Sequence, residues 1–299
     1  MVSIRVTERS IATNVLANLQ SNIAKLGDTQ NRLSSGKQLT KASDAPADAV
    51  LAMQYRSDVT NLKQYSRNAD DGIAWLSTAD TALTSAVEQV NRAKELVLSG
   101  MSSGSGSVQG ARESMALEID NIRASVLNLA NTQYLDRPVF GGTTTGQIAY
   151  NDDGTYAGDH GQVLRTVSAG PPIRVDTEAD GPDGVFGTGN TQIFNLLTKI
   201  SQDLRTDPTQ LEDDLDKLNQ ASTTMQAGLS SVGARVNRLT QMQNYADSRV
   251  TDLTTQVSTV EDIDLPKTIT ELTLQQTAYQ AALAATAKVV QPSLVDFLR

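Results

Sequence analysis

Between Val232 and Val260 the seam residues recur at steps of four and three without a miss: Val232, Val236, Leu239, Gln243, Ala246, Val250, Leu253, Val257 and Val260. This spacing holds one stripe on one side of a gently supercoiled helix. Only Gly233 interrupts it, and no proline does. At ~1.5 Å rise per residue the stretch is a rod of roughly 40 Å. Each Val or Leu left in water forfeits ~1.5–3 kcal/mol. A chain with such a rod must therefore supply, or recruit, other helices to lie against it.

The same spacing returns elsewhere. Ala12, Leu16, Leu19, Ile23, Leu26, Gln30 and Leu33 mark a first helix, ended by Ser34-Ser35-Gly36, because glycine accepts the left-handed residue that closes a helix. Ser43-Asp44-Ala45-Pro46 restarts the chain; Asp44 is a candidate acceptor for the first amides, and proline fits a first turn. A long stripe follows from Leu51 through Tyr55, Val59, Leu62, Ser66, Ala69, Ile73, Leu76, Asp80, Leu83, Val87, Val90, Lys94 and Val97. The Ser/Gly run 99–107 reads as a flexible connector. Val108, Ala111, Met115, Ile119, Ile122, Val126 and Leu129 form a third helix that stops before Pro138.

From Val139 to Asn190 Gly, Asp, Pro and Thr dominate, with isolated or alternating Val163, Val167, Ile173 and Val175. Asn151-Asp152-Asp153-Gly154 and Asp183-Gly184 are turn signals. This stretch predicts a small β-rich surface insert that carries much of the negative charge. Helical pattern resumes at Ile193, Leu196, Leu197, Ile200 and Leu204, and Asp207-Pro208-Thr209-Gln210 opens the helix that contains the Val232–Val260 stripe. Pro266 breaks the phase, and Ile269, Leu272, Gln276, Tyr279, Leu283, Thr286 and Val290 form a last helix, expected to close at Pro292.

The reading is a mainly α chain with a small β-rich insert, in five parts: 1–43, an N-terminal helix; 44–138, half of a helical core; 139–191, the insert; 192–265, the other half; and 266–299, a C-terminal helix. The terminal helices have narrow seams weakened by Gln30, Gln276 and Thr286. They look underfilled for a chain on its own, although the spacing suits an intramolecular bundle equally well.

Composition closes several doors. The formal net charge of −9 argues against nucleic acid as the main partner. With no cysteine, disulfides, thiolate metal sites and cysteine nucleophiles are excluded. No apolar run approaches the ~20 residues that span a bilayer, so no membrane partner is expected. Met1–Val6 has no apolar core and no cleavage site of a secretory signal. The single histidine, His160, sits between Asp159 and Gly161 with no nucleophile motif nearby, and reads as a solvated loop residue. Asp176-Thr177-Glu178-Ala179-Asp180-Gly181 opens like a calcium loop, but Gly187 stands where a bidentate Glu should close it, so an acidic turn is the better reading. No enzyme, cofactor or metal is expected.

Two groups of residues carry a resemblance. Arg32-Leu33-Ser34-Ser35-Gly36-Lys37 with Ser43-Asp44-Ala45-Pro46, and Asn68-Ala69-Asp70-Asp71-Gly72-Ile73, resemble bacterial flagellar axial proteins of the flagellin class. Leu129-Ala130-Asn131-Thr132-Gln133 before Phe140-Gly141-Gly142, Tyr156 to Gln162, Phe186-Gly187, Phe194 to Leu197, and the ending Ser293-Leu294-Val295-Asp296-Phe297-Leu298 are similar to the hook–filament junction branch of that class. Arg299 suits filament subunits as well.

The resemblance implies an elongated flagellin-like bundle or coiled coil formed by both chain ends. It implies a structural adaptor between hook and filament, with the filament subunit as the alternative; the Gln- and Ala-rich heptads by themselves also suit a soluble coiled-coil scaffold. Implied partners are copies of the chain in a ring, a neighbouring hook-associated protein, flagellin and an export chaperone. The implied place is outside the cell, in the flagellum, after type III export without a cleaved signal peptide. The expected assembly interface is Leu16, Leu19, Ile23, Leu26, Leu33, Ile269, Leu272, Tyr279, Leu283, Val290, Leu294 and Phe297.

Overall fold

A computed structural model describes residues 8–102, 109–181 and 183–297, with side chains from 13 to 287 apart from 109 and 190. The helices are α1 (Glu8–Ser35), α2 (Pro46–Ser102), α3 (Gln109–Ala130), α4 (Ile193–Thr206), α5 (Leu211–Glu261) and α6 (Leu265–Phe297). The strands are pairs of two residues: β1 (Gln133–Tyr134) with β2 (Arg137–Pro138), and β3 (Leu164–Arg165) with β4 (Ile173–Arg174), both antiparallel. The chain divides into two compact units, 1–60 with 250–299, and 61–249.

Within 61–249, α2 turns Ala69, Gly72, Leu76, Ala79, Leu83, Ala86, Val90, Ala93 and Val97 inward, all buried. Of the expected seam, Leu76, Leu83, Val90 and Val97 hold, but the intervening positions shift by one, from Ile73 and Val87 to Gly72 and Ala86. The shift has a packing reason. A Cβ on Gly72 would lie 3.0 Å from Leu239 Cδ1 and 3.0 Å from Val175 Cγ1. Small residues on this line let α5 and the insert approach. The predicted connector also starts late: 99–102 are helical, and a Cβ on Gly100 would lie 2.6 Å from Leu204 Cδ2. Residues 103–107 of that connector, and Val108 of the expected third helix, lie outside the described residues.

α4 packs on α3 with Ile193, Phe194, Leu196, Leu197, Ile200 and Leu204 buried. Ser201 Oγ donates to the Ala116 carbonyl at 3.2 Å, and Arg205 spans Glu113 at 3.1 Å and Asp120 at 2.9 Å. Asp207 caps a one-turn helix, Pro208–Gln210, by accepting from the Thr209 amide, and that turn leads into α5. Asp44 does otherwise. Its carboxylate accepts from the Lys41 amide at 2.9 Å and the Thr40 hydroxyl at 3.0 Å, so it closes the turn before α2 rather than capping the helix.

Little of the insert is strand: of the two hairpins only β3–β4 lies within 139–191, and β1–β2 immediately precedes it. β1 and β2 join through Leu135 and Asp136, both at positive φ, 48° and 61°, the turn whose twist matches a hairpin. The hairpin is held to α2 by Tyr134 edge-on to Trp75 at 5.8 Å and Arg137 over the same ring at 5.5 Å. Below it, Phe140, Tyr150, Phe186 and Phe194 are fully buried against one another and belong to the same core as α2–α5. Gly142, at φ 67°, lies where a Cβ would be 2.2 Å from the Asp159 carbonyl oxygen. The insert is thus a wall of the core as well as a surface feature. Nor do all its acids face solvent. Asp176 is buried, accepts from the Val163 amide at 2.7 Å and pairs with Arg174 at 2.6 Å. That carboxylate serves the fold, which removes the first ligand of the calcium-loop reading.

Within the other unit, α1 and α6 pair, the end of α1 meeting the start of α6. α6 does not stop at Pro292; its helical backbone runs on to Phe297. A proline this near a helix end removes one backbone bond without terminating the helix.

Candidate assembly surface

The α1–α6 pair is a narrow contact. On α1 the positions turned inward are Val15, Leu19, Asn22, Leu26, Thr29 and Leu33; on α6 they are Thr268, Leu272, Gln275, Tyr279, Ala282 and Thr286. Each is a heptad seam, yet only Thr29 and Thr268 are buried and the others are half-buried. Compared with the expected stripes, Leu19, Leu26, Leu33, Leu272 and Tyr279 sit where predicted. The alternate positions are displaced by one residue. Leu16 is 58% exposed, Ile23 50%, Ile269 49% and Leu283 44%.

The displacement selects small and polar residues for the intramolecular contact and leaves larger apolar ones in water. A lone pair of helices gains nothing from that arrangement, since each such side chain forfeits ~1.5–3 kcal/mol of burial. Val50, Met53, Leu265 and Leu274 are exposed in the same unit. Scattered single exposures need no explanation, but a run of them at helical spacing marks a surface awaiting a partner. The side chains of Val290, Leu294 and Phe297 lie outside the described residues.

At the inner end of the pair three segments meet. Gly36, at φ 68°, closes α1, and its carbonyl accepts from the Ile263 amide at 3.1 Å. The Gln38 amide donates to the Glu261 carbonyl at 2.6 Å, so 36–38 and 261–263 lie side by side as a short antiparallel bridge. Glu261 is the last residue of α5, and its side chain is only 7% exposed. An acid at a helix C-terminus faces the negative end of the helix dipole. The compensating cations come from elsewhere: Arg56 of α2 at 2.5 Å and Lys37 at 3.4 Å. Lys37 also donates to Asp262 at 2.5 Å. Sequence reasoning passed over this cluster. Its only signals are a lysine just past the helix-closing glycine and two acids just before the break at Pro266.

Asp262 is held below its ordinary value of 3.8, first by the hydrogen bond from Lys37 and then by Ser258. Lys37 is raised above 10.5, mainly by its bond to Asp262. A depressed carboxyl contributes stability above its unfolded value and loses it as pH falls through the folded one. A raised amine contributes below its unfolded value and loses it as pH rises through the folded one. The pair is therefore fully effective between about pH 4 and 10. We expect the melting-temperature gap between the parent and Asp262→Asn to be constant from pH 5 to 8 and to close on titration below pH 4.

Elsewhere, His160 lies exposed beside Tyr156, ring centroids 5.7 Å apart, with no nucleophile against it. A cleft of about 480 Å³ between the insert and α5 is lined by Arg174, Glu178, Asp183, Ser231 and Arg235. Its guanidiniums are already taken, by Asp176 for Arg174 and by the Asp176 carbonyl and Ser231 for Arg235. Among the described residues no cluster of three or more metal-ligating side chains occurs, and no helix is long and apolar enough to cross a membrane.

Comparison with known proteins agrees with a chain built from its two ends. The family model for the bacterial flagellin N-terminal helical region matches residues 6–145, and that for the C-terminal helical region matches 215–298. Flagellin of Bacillus subtilis is 24% identical over 302 residues, covering 96% of both chains. Flagellar hook-associated protein 3 of Escherichia coli is 25% identical over 295 residues, covering 90% of this chain and 91% of that one. Among solved structures, a putative flagellar hook-associated protein from Vibrio parahaemolyticus superposes with a TM-score of 0.64 at 19% identity, over 73% of this chain and 99% of that one. FlgL of Bacillus cereus gives 0.59 at 19% identity, over 69% and 99%.

Proposed function

This chain belongs to the bacterial flagellin family, and we propose that within it the chain is the adaptor subunit between flagellar hook and filament. A structural component of the flagellum works by packing. The observation that carries the proposal is the set of apolar residues Leu16, Ile23, Ile269 and Leu283, left exposed by the α1–α6 pair. Copies of the chain and neighbouring axial subunits supply the missing burial, and the terminal helices line the inner wall of the tube. The solved hook-associated neighbours, matched over almost their whole length, and the motifs 129–142 and 293–298 favour the adaptor over the filament subunit. The filament reading keeps one support of its own, the full-length similarity to flagellin of Bacillus subtilis.

Several finer points belong to the same proposal. The five-part division, with 1–43 and 266–299 as assembly segments, follows from it. So do passage through the flagellar export apparatus and a chaperone that takes the α6 stripe into a groove.

The test is a deletion strain, with hooks imaged and the medium assayed for flagellin. Bare hooks with flagellin monomer in the medium are expected. Bare hooks with none would make this chain the filament protein, and unchanged filaments would overturn both flagellar readings.

A further inference from the structure

Among the described residues the buried carboxylates are Asp176, Asp214 and Glu261. Two of them are fully provided for. Asp176 accepts from the Val163 amide and from Nε and Nη2 of Arg174, and Glu261 has Arg56 and Lys37. Asp214, in the first turn of α5, is the exception. Its side chain is 0% exposed, Oδ1 accepts from Lys199 Nζ of α4 at 2.6 Å, and Oδ2 has no partner. The ammonium is itself divided: Lys199 is 43% exposed and also donates to Asp203 at 2.6 Å. The α5 N-terminus favours a negative charge through the helix dipole, but Glu212 and Asp213 draw on the same end. A buried carboxylate with a half share in one half-exposed cation is undercompensated.

The charges acting on Asp214 are those of Lys199 and Asp203, both from α4. The other ionised groups at this end of the unit are engaged elsewhere. On α5, Asp213 is paired with Lys217. In the corner between the helices, Asp207 accepts from the Thr209 amide and hydroxyl. On α3, Glu113 and Asp120 are paired with Arg205. On α2, Lys94 is lowered by burial, and no carboxylate acts on it.

What Asp214 lacks is a donor, and a proton supplies one. Asp203 stands within hydrogen-bonding reach of it. A proton taken from solvent by either carboxyl turns two acceptors on one ammonium into a donor and an acceptor. We propose that Asp203 and Asp214 share such a proton beside Lys199, which makes the α4–α5 corner an acid-strengthened joint, held more firmly as the medium turns from neutral to acidic. Burial raises the Asp214 carboxyl above its ordinary value of 3.8, and Asp203 raises it further against the opposing pull of Lys199. A raised carboxyl contributes stability that is complete below its unfolded value and is lost as pH rises through the folded one, the reverse of Asp262. Phe194 of α4 packs on Tyr150 and Phe186, so the joint also ties the rings of the insert to α5.

Carboxyl NMR of the full-length chain labelled with carbon-13 aspartate, and urea unfolding followed by Trp75 fluorescence, test this. In the parent, the Asp214 carboxyl resonance, assigned through its backbone, should titrate above the ordinary carboxylate value, and in Asp203→Asn it should titrate lower. Asp214→Asn imitates the protonated acid and does not titrate. It should be the more stable chain at pH 8, with its advantage over the parent shrinking about tenfold in the unfolding constant by pH 4. A resonance that titrates at or below the ordinary value, one that Asp203→Asn leaves in place, or a stability gap independent of pH would each overturn the shared proton. The first readout uses the parent, so it decides the matter even where Asp214→Asn fails to fold. None of these outcomes depends on whether the chain is adaptor or filament subunit.

Discussion

Ile23→Asp and Leu283→Asp, singly or together, are expected to leave cells with bare hooks and flagellin in the medium, while the purified variants stay folded. Both side chains are about half exposed in the free subunit and face away from the α1–α6 contact. A substitution at such a site usually moves stability by no more than ~0.5 kcal/mol, so melting curves should overlay the parent. In the proposed packing of the tube the same position is covered by a neighbour. An aspartate there loses the burial of an Ile or Leu, ~1.5–3 kcal/mol, and adds the cost of desolvating a charge without a partner. At ~1.4 kcal/mol per tenfold, each contact weakens by at least about a hundredfold, and a ring repeats the loss at every subunit. Leu19→Asp is the instructive contrast. It faces α6, so it should disturb exchange on α1 and α6 in the free chain as well as incorporation. Normal filaments from the Ile23→Asp, Leu283→Asp double variant would exclude this face as the assembly surface.

Phe186→Ala is the opposite case, a change in the core of 61–249 that should cost ~3–5 kcal/mol of folding stability. The Phe186 ring lies 5.2 Å from Phe140, 5.6 Å from Tyr150 and 5.7 Å from Phe194, and is 2% exposed. With few aromatics in the chain, this group is where the insert and α4 are joined. Urea unfolding followed by the fluorescence of Trp75, the single tryptophan, should show the midpoint falling sharply. Leu135→Ala, at a position 75% exposed on the hairpin tip, should leave it within ~0.5 kcal/mol. A loss under about 1 kcal/mol for Phe186→Ala, well below the usual cost of a core Phe→Ala change, would mean that the insert folds independently of the helices.

The insert shows why part of the fold was illegible. Its turn residues and low helical periodicity announced an irregular segment, and Phe140, Phe186 and Phe194 were visible as motif residues. Their mutual contact was not, because they come from places far apart in sequence and no spacing rule connects them. Asp176 is similar. In sequence it is one acid among many; only the folded chain brings Arg174 and the Val163 amide to it. The charged cluster of Lys37, Arg56, Glu261 and Asp262 failed to show for the same reason, since Lys37 and Arg56 are more than 200 residues from the acids they pair with. For the assembly surface, the stripes on α1 and α6 were legible as stripes, and Leu19, Leu26, Leu33, Leu272 and Tyr279 face the partner helix as the spacing implied. Four others, Leu16, Ile23, Ile269 and Leu283, do not.

That division has a geometric cause. On α1, α2 and α6 the shared column of each heptad is the one read from the sequence: Leu19, Leu26 and Leu33; Leu76, Leu83 and Val90; Leu272 and Tyr279. The columns three and four residues on lie on opposite flanks of that line, and both are apolar or small enough to serve. Periodicity determined that these segments are helices and which line faces inward, and the glycine and proline signals placed most of their ends to within a few residues, the end of α6 excepted. Which flank is covered depends on where the neighbouring helix lies, and only the tertiary structure decided that. On α2 it chose Gly72, Ala79, Ala86 and Ala93, because α5 and the insert come close. On α1 and α6 it chose Asn22, Thr29, Thr268 and Gln275, because the two helices meet along that flank, their adjoining ends joined by the 36–38/261–263 backbone bridge.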